Sequence, residues 1–116
     1  MNKRELGNEM EMIALHYLES QGYEILEHNF YMRGGELDIV ALENDELAII
    51  EVKFRKNMLY GTAAESVTKT KMKKLINTAM FFVRKHPEYE SLNMRFDVLA
   101  IDGKNIELIK AAFDAC

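Results

Sequence analysis

The chain of 116 residues has little cysteine, proline or tryptophan, with one Cys, one Pro and no Trp. A single cysteine excludes a disulfide framework and any zinc cluster built from cysteines. No apolar run approaches the roughly 18 residues of a membrane-spanning helix, and the first residues lack the apolar region of a signal peptide. We therefore expect a soluble, cytoplasmic protein with no membrane partner. At this length we expect a single domain over residues 1–116.

Charge is unevenly distributed along the sequence. The whole chain has 15 basic and 19 acidic residues, and its net charge of −4 argues mildly against a nucleic-acid partner. Residues 53–86, however, hold nine Lys or Arg and one acid, Glu65, which leaves a net charge of +8 there and −12 in the remainder. Such an asymmetry lets one face attract a polyanion. A solvated helix with ordinary lysines explains the segment equally well.

Hydrophobic periodicity predicts seven elements in the order α-β-β-β-α-β-β. The helices are predicted over residues 6–18 and about 64–85, and the strands over residues 23–32, 36–42, 47–55, 94–101 and 106–109. The runs 37–42 and 47–50 are apolar on both faces, so their strands need a helix on each side. The helix between the third and fourth strands should make those strands parallel. We therefore predict an α/β fold with a mixed sheet and helices on both faces.

Charged side chains replace apolar ones at one end of this predicted sheet. Glu36 and Asp38 share a face of the second strand, and Glu51 and Lys53 share a face of the third. If a turn at residues 44–45 pairs the strands, Asp38 comes close to Glu51, and Lys53 comes close to Glu36 or Asp38. One carboxyl should then protonate unless a cation such as Mg²⁺, which prefers oxygen ligands, lies between them. A solvated strand end with a weak ion pair explains the same pattern.

Two short segments resemble a nuclease signature. Gly35-Glu-Leu-Asp38, followed after twelve residues by Glu51-Val-Lys53, resembles the D…E-x-K pattern of the PD-(D/E)XK nuclease superfamily, whose restriction-endonuclease-like core has the order αβββαβ. More closely, the chain resembles the YraN family of endonuclease-like proteins, related to archaeal Holliday junction resolvases. The flanking segments that carry this resemblance are Gly7, residues 14–18, Gly22-Tyr23, Asn29, Arg55, Gly61, Ser66-Val67, Lys71, residues 95–97 and Ala112-Phe113.

This resemblance implies an endonuclease that hydrolyses DNA with Mg²⁺ or Mn²⁺. Asp38 and Glu51 carry over as metal ligands, and Lys53 carries over as the catalytic lysine. Because carboxylates surround it, we expect Lys53 to stay protonated without metal, and to orient the attacking water and stabilise developing charge. The implied substrate is branched or flapped DNA. A symmetric junction would require two active sites and hence a homodimer.

The resemblance also implies a helix acid, which would be a third metal-binding and catalytic residue. Its position corresponds to Glu11, although a helical wheel favours Glu9 equally, and Met10 replaces the glycine that usually precedes this acid in the family. This departure keeps an alternative open, in which the chain is a nucleic-acid-binding protein that retains the nuclease fold without turnover.

Basic side chains near the second helix are the candidate phosphate contacts. They are Lys71, Arg55, Lys69, Lys73 and Lys74. Lys71 is the best single candidate, because it borders the apolar face of the helix and is expected to reach over the strand ends. Asp97 lies inside an apolar strand, and its simplest role is that of a structural carboxylate with all its hydrogen bonds made.

Overall fold

The computed structural model describes residues 3–54, 68–102 and 105–113. Their elements are α1 (Lys3–Ser20), β1 (Glu24–Met32), β2 (Gly35–Glu43), β3 (Glu46–Phe54), α2 (Lys69–Lys85), a 3₁₀ turn (Pro87–Tyr89), β4 (Asn93–Asp102) and β5 (Asn105–Phe113). The five strands form one sheet in the order β1-β2-β3-β4-β5. β3 and β4 are parallel, and the other neighbours are antiparallel. The predicted mixed α/β fold is confirmed.

Each face of the sheet is buried under one helix, as the two-sided apolar strands predict. On one face Val40 and Ile49 pack in the same cluster as Leu75 of α2. On the other face Ile39 and Ile50 pack in the same cluster as residues of α1. The register pairs Val40 with Ile49 and Ile39 with Ile50, so alternate residues of β2 and β3 serve opposite layers of the core. No helix in the described ranges is long and apolar enough to cross a membrane.

The second helix begins at Lys69, so its predicted start near residue 64 is wrong. Thr68 has an extended backbone (φ −72°, ψ 163°), and its hydroxyl accepts the backbone N–H of Lys71 at 3.2 Å. A threonine cap of this kind satisfies a donor that the helix itself leaves unpaired. Residues 64–67 lie outside the described residues, as does Arg55, the predicted end of β3.

The last strand is longer than predicted, because a β-bulge extends its pairing beyond residue 109. The register between β4 and β5 shifts between Phe96 and Val98, and Ala111 on β5 has a φ of 51°. β5 therefore continues to Phe113, whose ring stacks on Phe96 at 4.9 Å. The bulge also turns backbone of β5 toward Asp97.

A close approach between α2 and the β1–β2 turn explains one of the two adjacent glycines. Gly34 has a φ of 89°, which favours glycine, whereas Gly35 leaves space for the helix. A Cβ at Gly35 would overlap Oγ1 of Thr78 and lie 3.3 Å from its Cβ. Thr78 is buried and donates a hydrogen bond of 2.7 Å to the carbonyl of Lys74.

We expect Gly35→Ala to lower the free energy of unfolding by about 1–3 kcal/mol, because Thr78 and its helix must shift. Thr78→Ala removes the obstructing hydroxyl, so the double variant should recover most of that loss. Urea unfolding followed by circular dichroism measures the four members of the cycle. Losses that simply add in the double variant would contradict the steric explanation.

Candidate functional site

Two carboxylates lie side by side where β2 and β3 leave the apolar core. Ile39 pairs with Ile50, which places Asp38 opposite Glu51 at the next position of the two strands. Oδ2 of Asp38 accepts the backbone N–H of Val52 at 2.9 Å. Glu51 is 6% exposed. The structure therefore brings together the two acids that the strand pattern predicted to be neighbours.

Asp38 is difficult to ionise in this environment. Burial, followed by the negative charge of Glu51, raises the pKa of Asp38 from 3.8 to about 7, against the opposing hydrogen bond from Val52. This is the expected behaviour of two acids held close together in a partly desolvated site. A cation bound between Asp38 and Glu51 would favour the ionised form of both.

Two lysine side chains contact Glu51. Lys71 of α2 forms an ion pair with Oε1 of Glu51, and Nζ of Lys53 lies 3.5 Å from the same oxygen. Lys71 thus reaches over the strand ends as predicted. Among the ion pairs of the described residues Lys53 pairs with Glu51, with which it shares one face of β3, and this is the weak ion pair of the alternative interpretation.

The two lysines differ in how firmly they hold a proton. Burial lowers the pKa of Lys53, and the nearby Lys71 lowers it further. Burial and Lys71 thus outweigh the opposing effect of Glu51 on this pKa, and the protonation of Lys53 without metal stays a prediction. Burial lowers the pKa of Lys71, but Glu51, Lys53 and Asp38 together outweigh burial and the net shift is upward.

The predicted helix acid, Glu11, bonds to β1. Its Oε1 lies 2.6 Å from Nδ1 of His28 and also accepts a hydrogen bond from the side-chain amide of Asn29. Asn29 falls next to Asp38 in the register between β1 and β2. Glu9 is exposed, so Glu11 is the acid of this pair that faces the sheet.

The carboxylate pair is compatible with a divalent metal that substrate also coordinates. In the described residues no group of three His, Cys, Asp or Glu side chains is arranged to hold a metal ion. Mg²⁺ is, however, commonly held by one or two carboxylates and completed by water and substrate phosphates. Asp38 and Glu51 provide two oxygen donors of this kind. Burial and, second to it, the charge of Glu51 keep the pKa of Asp38 raised although Lys71 lowers it.

The remaining candidate phosphate contacts lie on α2, apart from Arg55, which is outside the described ranges. Lys69, Lys73 and Lys74 are exposed. Lys74 and Lys71 line a cavity of about 500 Å³ between α2 and the β1–β2 turn. Tyr31 also lines it and is 66% exposed. Sequence reasoning missed Tyr31, because strand alternation predicts only which face it occupies and not the cavity beside it.

A second cluster of polar side chains lies on the α1 face of the sheet. The carboxylate of Asp97 accepts bonds of 2.9 Å from the Tyr23 hydroxyl, the Ala111 backbone N–H, and both Nε and Nη2 of Arg95. Asp97 is 1% exposed. These bonds raise the pKa of Arg95, most strongly through Asp97. The prediction that Asp97 is a structural carboxylate with its hydrogen bonds made is confirmed.

Arg95 extends this cluster toward the β2–β3 turn. Its Nη1 lies 2.9 Å from carboxylate oxygens of both Glu43 and Glu46. Lys110 of β5 lies 3.2 Å from Glu43. Throughout the described residues, no buried side-chain nitrogen or oxygen lacks a hydrogen-bond partner. We call Tyr23, Glu43, Arg95 and Asp97 the Arg95 network.

Comparison with known sequences gives matches that agree with one another. A family model described as "Uncharacterised protein family UPF0102" matches residues 10–101, which include Glu11, Asp38, Glu51 and Lys71. A UPF0102 protein of Lachnoclostridium phytofermentans is 44% identical over 115 residues, covering 99% of this chain and 98% of the relative. A Francisella tularensis relative is 42% identical, with 97% of each chain covered, and one of Vibrio parahaemolyticus is 39% identical, with 96% and 93% covered.

Proposed function

The chain belongs to the UPF0102 family, and we propose that it is a metal-dependent endonuclease that hydrolyses phosphodiester bonds of DNA. The observation that carries this proposal is the buried pair of Asp38 and Glu51, with Lys53 and Lys71 at the same strand end. The D…E-x-K spacing and the αβββαβ order support it by their resemblance to the PD-(D/E)XK superfamily. Assignment to that superfamily, and within it to the YraN family, is part of the proposal.

In this proposal each side chain of the site has a distinct task. Asp38 and Glu51 hold Mg²⁺ or Mn²⁺, which supplies Lewis acidity toward water and phosphate. Lys53 donates hydrogen bonds that orient the attacking water and stabilise charge as it develops on the phosphate. Lys71, the more firmly protonated lysine, contacts a neighbouring phosphate. Glu11 holds Asn29 beside Asp38 and so positions the pair from the adjoining strand.

Electrostatics support the involvement of a cation. Burial, and after it the charge of Glu51, already raises the pKa of Asp38, although Lys71 acts in the opposite direction. A DNA phosphate entering the site adds negative charge, which would raise the cost of keeping both carboxylates ionised. A bound divalent cation offsets that charge and lets phosphate and carboxylates share one site.

One observation favours a second candidate function, nucleic-acid binding without turnover. Glu11 is bonded to His28 and Asn29, and the described part of the chain contains no preformed three-carboxylate group. In that case the lysines of α2 would bind DNA, and metal would be irrelevant to affinity.

Cleavage of single-stranded, duplex, nicked, flapped and four-way DNA, with Mn²⁺, Mg²⁺ or EDTA, tests the proposal. Glu51→Gln preserves the shape of the side chain and removes its charge, so we expect at least about 100-fold slower cleavage. Glu107→Gln makes the same change at an exposed position of β5 and should cleave at the wild-type rate.

Two outcomes would count against a nuclease. Cleavage that Glu51→Gln retains would place the activity in a contaminant or at another site. DNA binding of equal strength with metal and with EDTA, without cleavage of any substrate, would support the binding protein. Symmetric cleavage of four-way DNA would in addition call for a homodimer, which sedimentation of the complex measures.

A further inference from the structure

The cavity between α2 and the β1–β2 turn adjoins the carboxylate pair. Its volume of about 500 Å³ is within the range of small-ligand sites and can accommodate one nucleotide. Lys71 both lines this cavity and pairs with Glu51, so the cavity and the carboxylate pair share a wall. A DNA strand that occupied the cavity would therefore continue directly over Asp38 and Glu51.

The polar lining of the cavity suits a phosphate group. Lys71 and Lys74 contribute two ammonium groups, Thr68 and Thr70 contribute hydroxyls, and Glu36 contributes a carboxylate. Lys74 is exposed, and Lys71 is held on the side of Glu51. The lysines thus outnumber the acid, and Lys74 is placed to contact a phosphate one position away from the carboxylate pair.

Tyr31 gives the same cavity an aromatic wall. It lies opposite Glu36 in the register between β1 and β2, and 66% of its surface is exposed. A single exposed aromatic residue is ordinary, but this one borders a cavity that also contains two lysines. Aromatic side chains bind bases by stacking on their faces, without regard to sequence. In a continuous duplex those faces are covered by neighbouring base pairs.

From this arrangement we infer that the cavity binds an unpaired nucleotide adjacent to the cleaved phosphodiester, with its base stacked on Tyr31 and its phosphate at Lys74. The inference rests on the proposed function and narrows its substrate. The preferred DNA carries a single strand at the cut, as in a flap or a free single strand. A continuous duplex and a fully paired four-way junction offer no such base.

Binding without metal tests this inference separately from catalysis. Fluorescence anisotropy in EDTA compares a labelled single-stranded oligonucleotide with the blunt duplex of the same sequence. We expect at least about 10-fold tighter binding of the single strand, and a loss of about 10-fold in Tyr31→Ala but not in Tyr31→Phe. Lys74→Gln should weaken binding several-fold and flatten its salt dependence. Lys110→Gln, which makes the same change at an exposed lysine of β5 that does not line the cavity, is the control.

Because the chain has no tryptophan, its tyrosine fluorescence can report on stacking of a base against Tyr31. The chain has five tyrosines and no Trp, so a base stacked on Tyr31 should quench part of the tyrosine emission, and Tyr31→Ala should lose that part. Equal affinity for duplex and single strand, or wild-type affinity in Tyr31→Ala, would overturn the inference. Cleavage that depends on Glu51 but not on Tyr31 would overturn it while leaving the nuclease intact. Tyr31-dependent binding without metal-dependent cleavage would support the cavity and overturn the nuclease.

Discussion

Asp38→Asn is expected to make the metal-free protein more stable near pH 8 while it removes the proposed activity. The folded protein holds the pKa of Asp38 at about 7, compared with 3.8 for an unperturbed carboxyl. A carboxyl whose pKa is raised by folding contributes stability that is fully present below its unfolded pKa and is lost as the pH rises through its folded pKa. Wild-type protein should therefore lose stability between about pH 4 and pH 8 that the variant does not lose.

The size of the stability gain in Asp38→Asn follows from the pKa shift of Asp38. A difference of about three pKa units corresponds to at most about 4 kcal/mol, and relaxation of a partly hydrated site reduces the expected gain at pH 8 to about 2 kcal/mol. Asparagine keeps an oxygen that accepts the backbone N–H of Val52, so the strand end retains its hydrogen bond. At pH 5 folded Asp38 is protonated but the unfolded carboxyl is already ionised, so about two-fifths of the loss has occurred and the variant's advantage should be clearly smaller than at pH 8.

Urea unfolding in EDTA at pH 5 and pH 8 measures both stabilities. Glu107→Gln is the control, because its side chain is exposed on the edge strand β5 and should shift stability by less than about 0.5 kcal/mol. Adding Mn²⁺ at pH 8 should stabilise wild type and not Asp38→Asn, since ligand stabilises only a state that binds it. If Asp38→Asn is less stable than wild type at pH 8, the pair is not the repulsive site described above.

Asp97→Ala is expected to lower the free energy of unfolding by about 3–5 kcal/mol. It removes the acceptor of four hydrogen bonds and leaves the Arg95 guanidinium, 10% exposed, without its main partner. Removing one partner of a buried ion pair strongly destabilises a protein, because the other charge stays buried without its partner. The Ala111 backbone N–H also loses its acceptor. Since the free energy of unfolding of such domains is roughly 5–15 kcal/mol, the variant would lose much of the stability of the fold.

Two milder variants separate the contributions to this loss. Tyr23→Phe removes the hydrogen bond donated to Asp97 and the one accepted from Arg95, and should cost about 1–2 kcal/mol. Lys110→Met breaks a pair in which the lysine is 47% exposed, and should cost less than about 1 kcal/mol. Circular dichroism during urea titration follows all three variants. A loss below 1 kcal/mol in Asp97→Ala would show that the Arg95 network contributes specificity rather than stability.

The sequence predicted those features of the site that depend on strand alternation and pairing. A period of two places Glu51 and Lys53 on one face, and a short turn between β2 and β3 places Asp38 opposite Glu51. Lys71 was also predictable, since it borders the apolar stripe of a helix packed over those strands. These predictions depend only on the alternation of side chains along a strand, on one hairpin and on the apolar face of one helix. Such regular local geometry can be inferred from the sequence.

Features that depend on irregular backbone could not be predicted in the same way. Glu11 reaches Asn29 at a point where β1 has a φ of 55°, and Ala111 reaches Asp97 where β5 has a φ of 51°. The two residues with a positive φ are Asn29 and Ala111, so the sequence gives a weak signal at the asparagine and none at the alanine. The start of α2 at Lys69 likewise depends on the cap at Thr68, within a segment whose periodicity favours a longer helix.

The two faces of the sheet differ in how they respond to a rise in pH. On the α1 face every buried side-chain nitrogen and oxygen of the Arg95 network has a hydrogen-bond partner. On the α2 face Asp38 is held against its own ionisation, so the adjoining ends of β2 and β3 become less stable as the pH rises. Local opening of the sheet at alkaline pH should therefore begin at the carboxylate end, and a bound cation would suppress it.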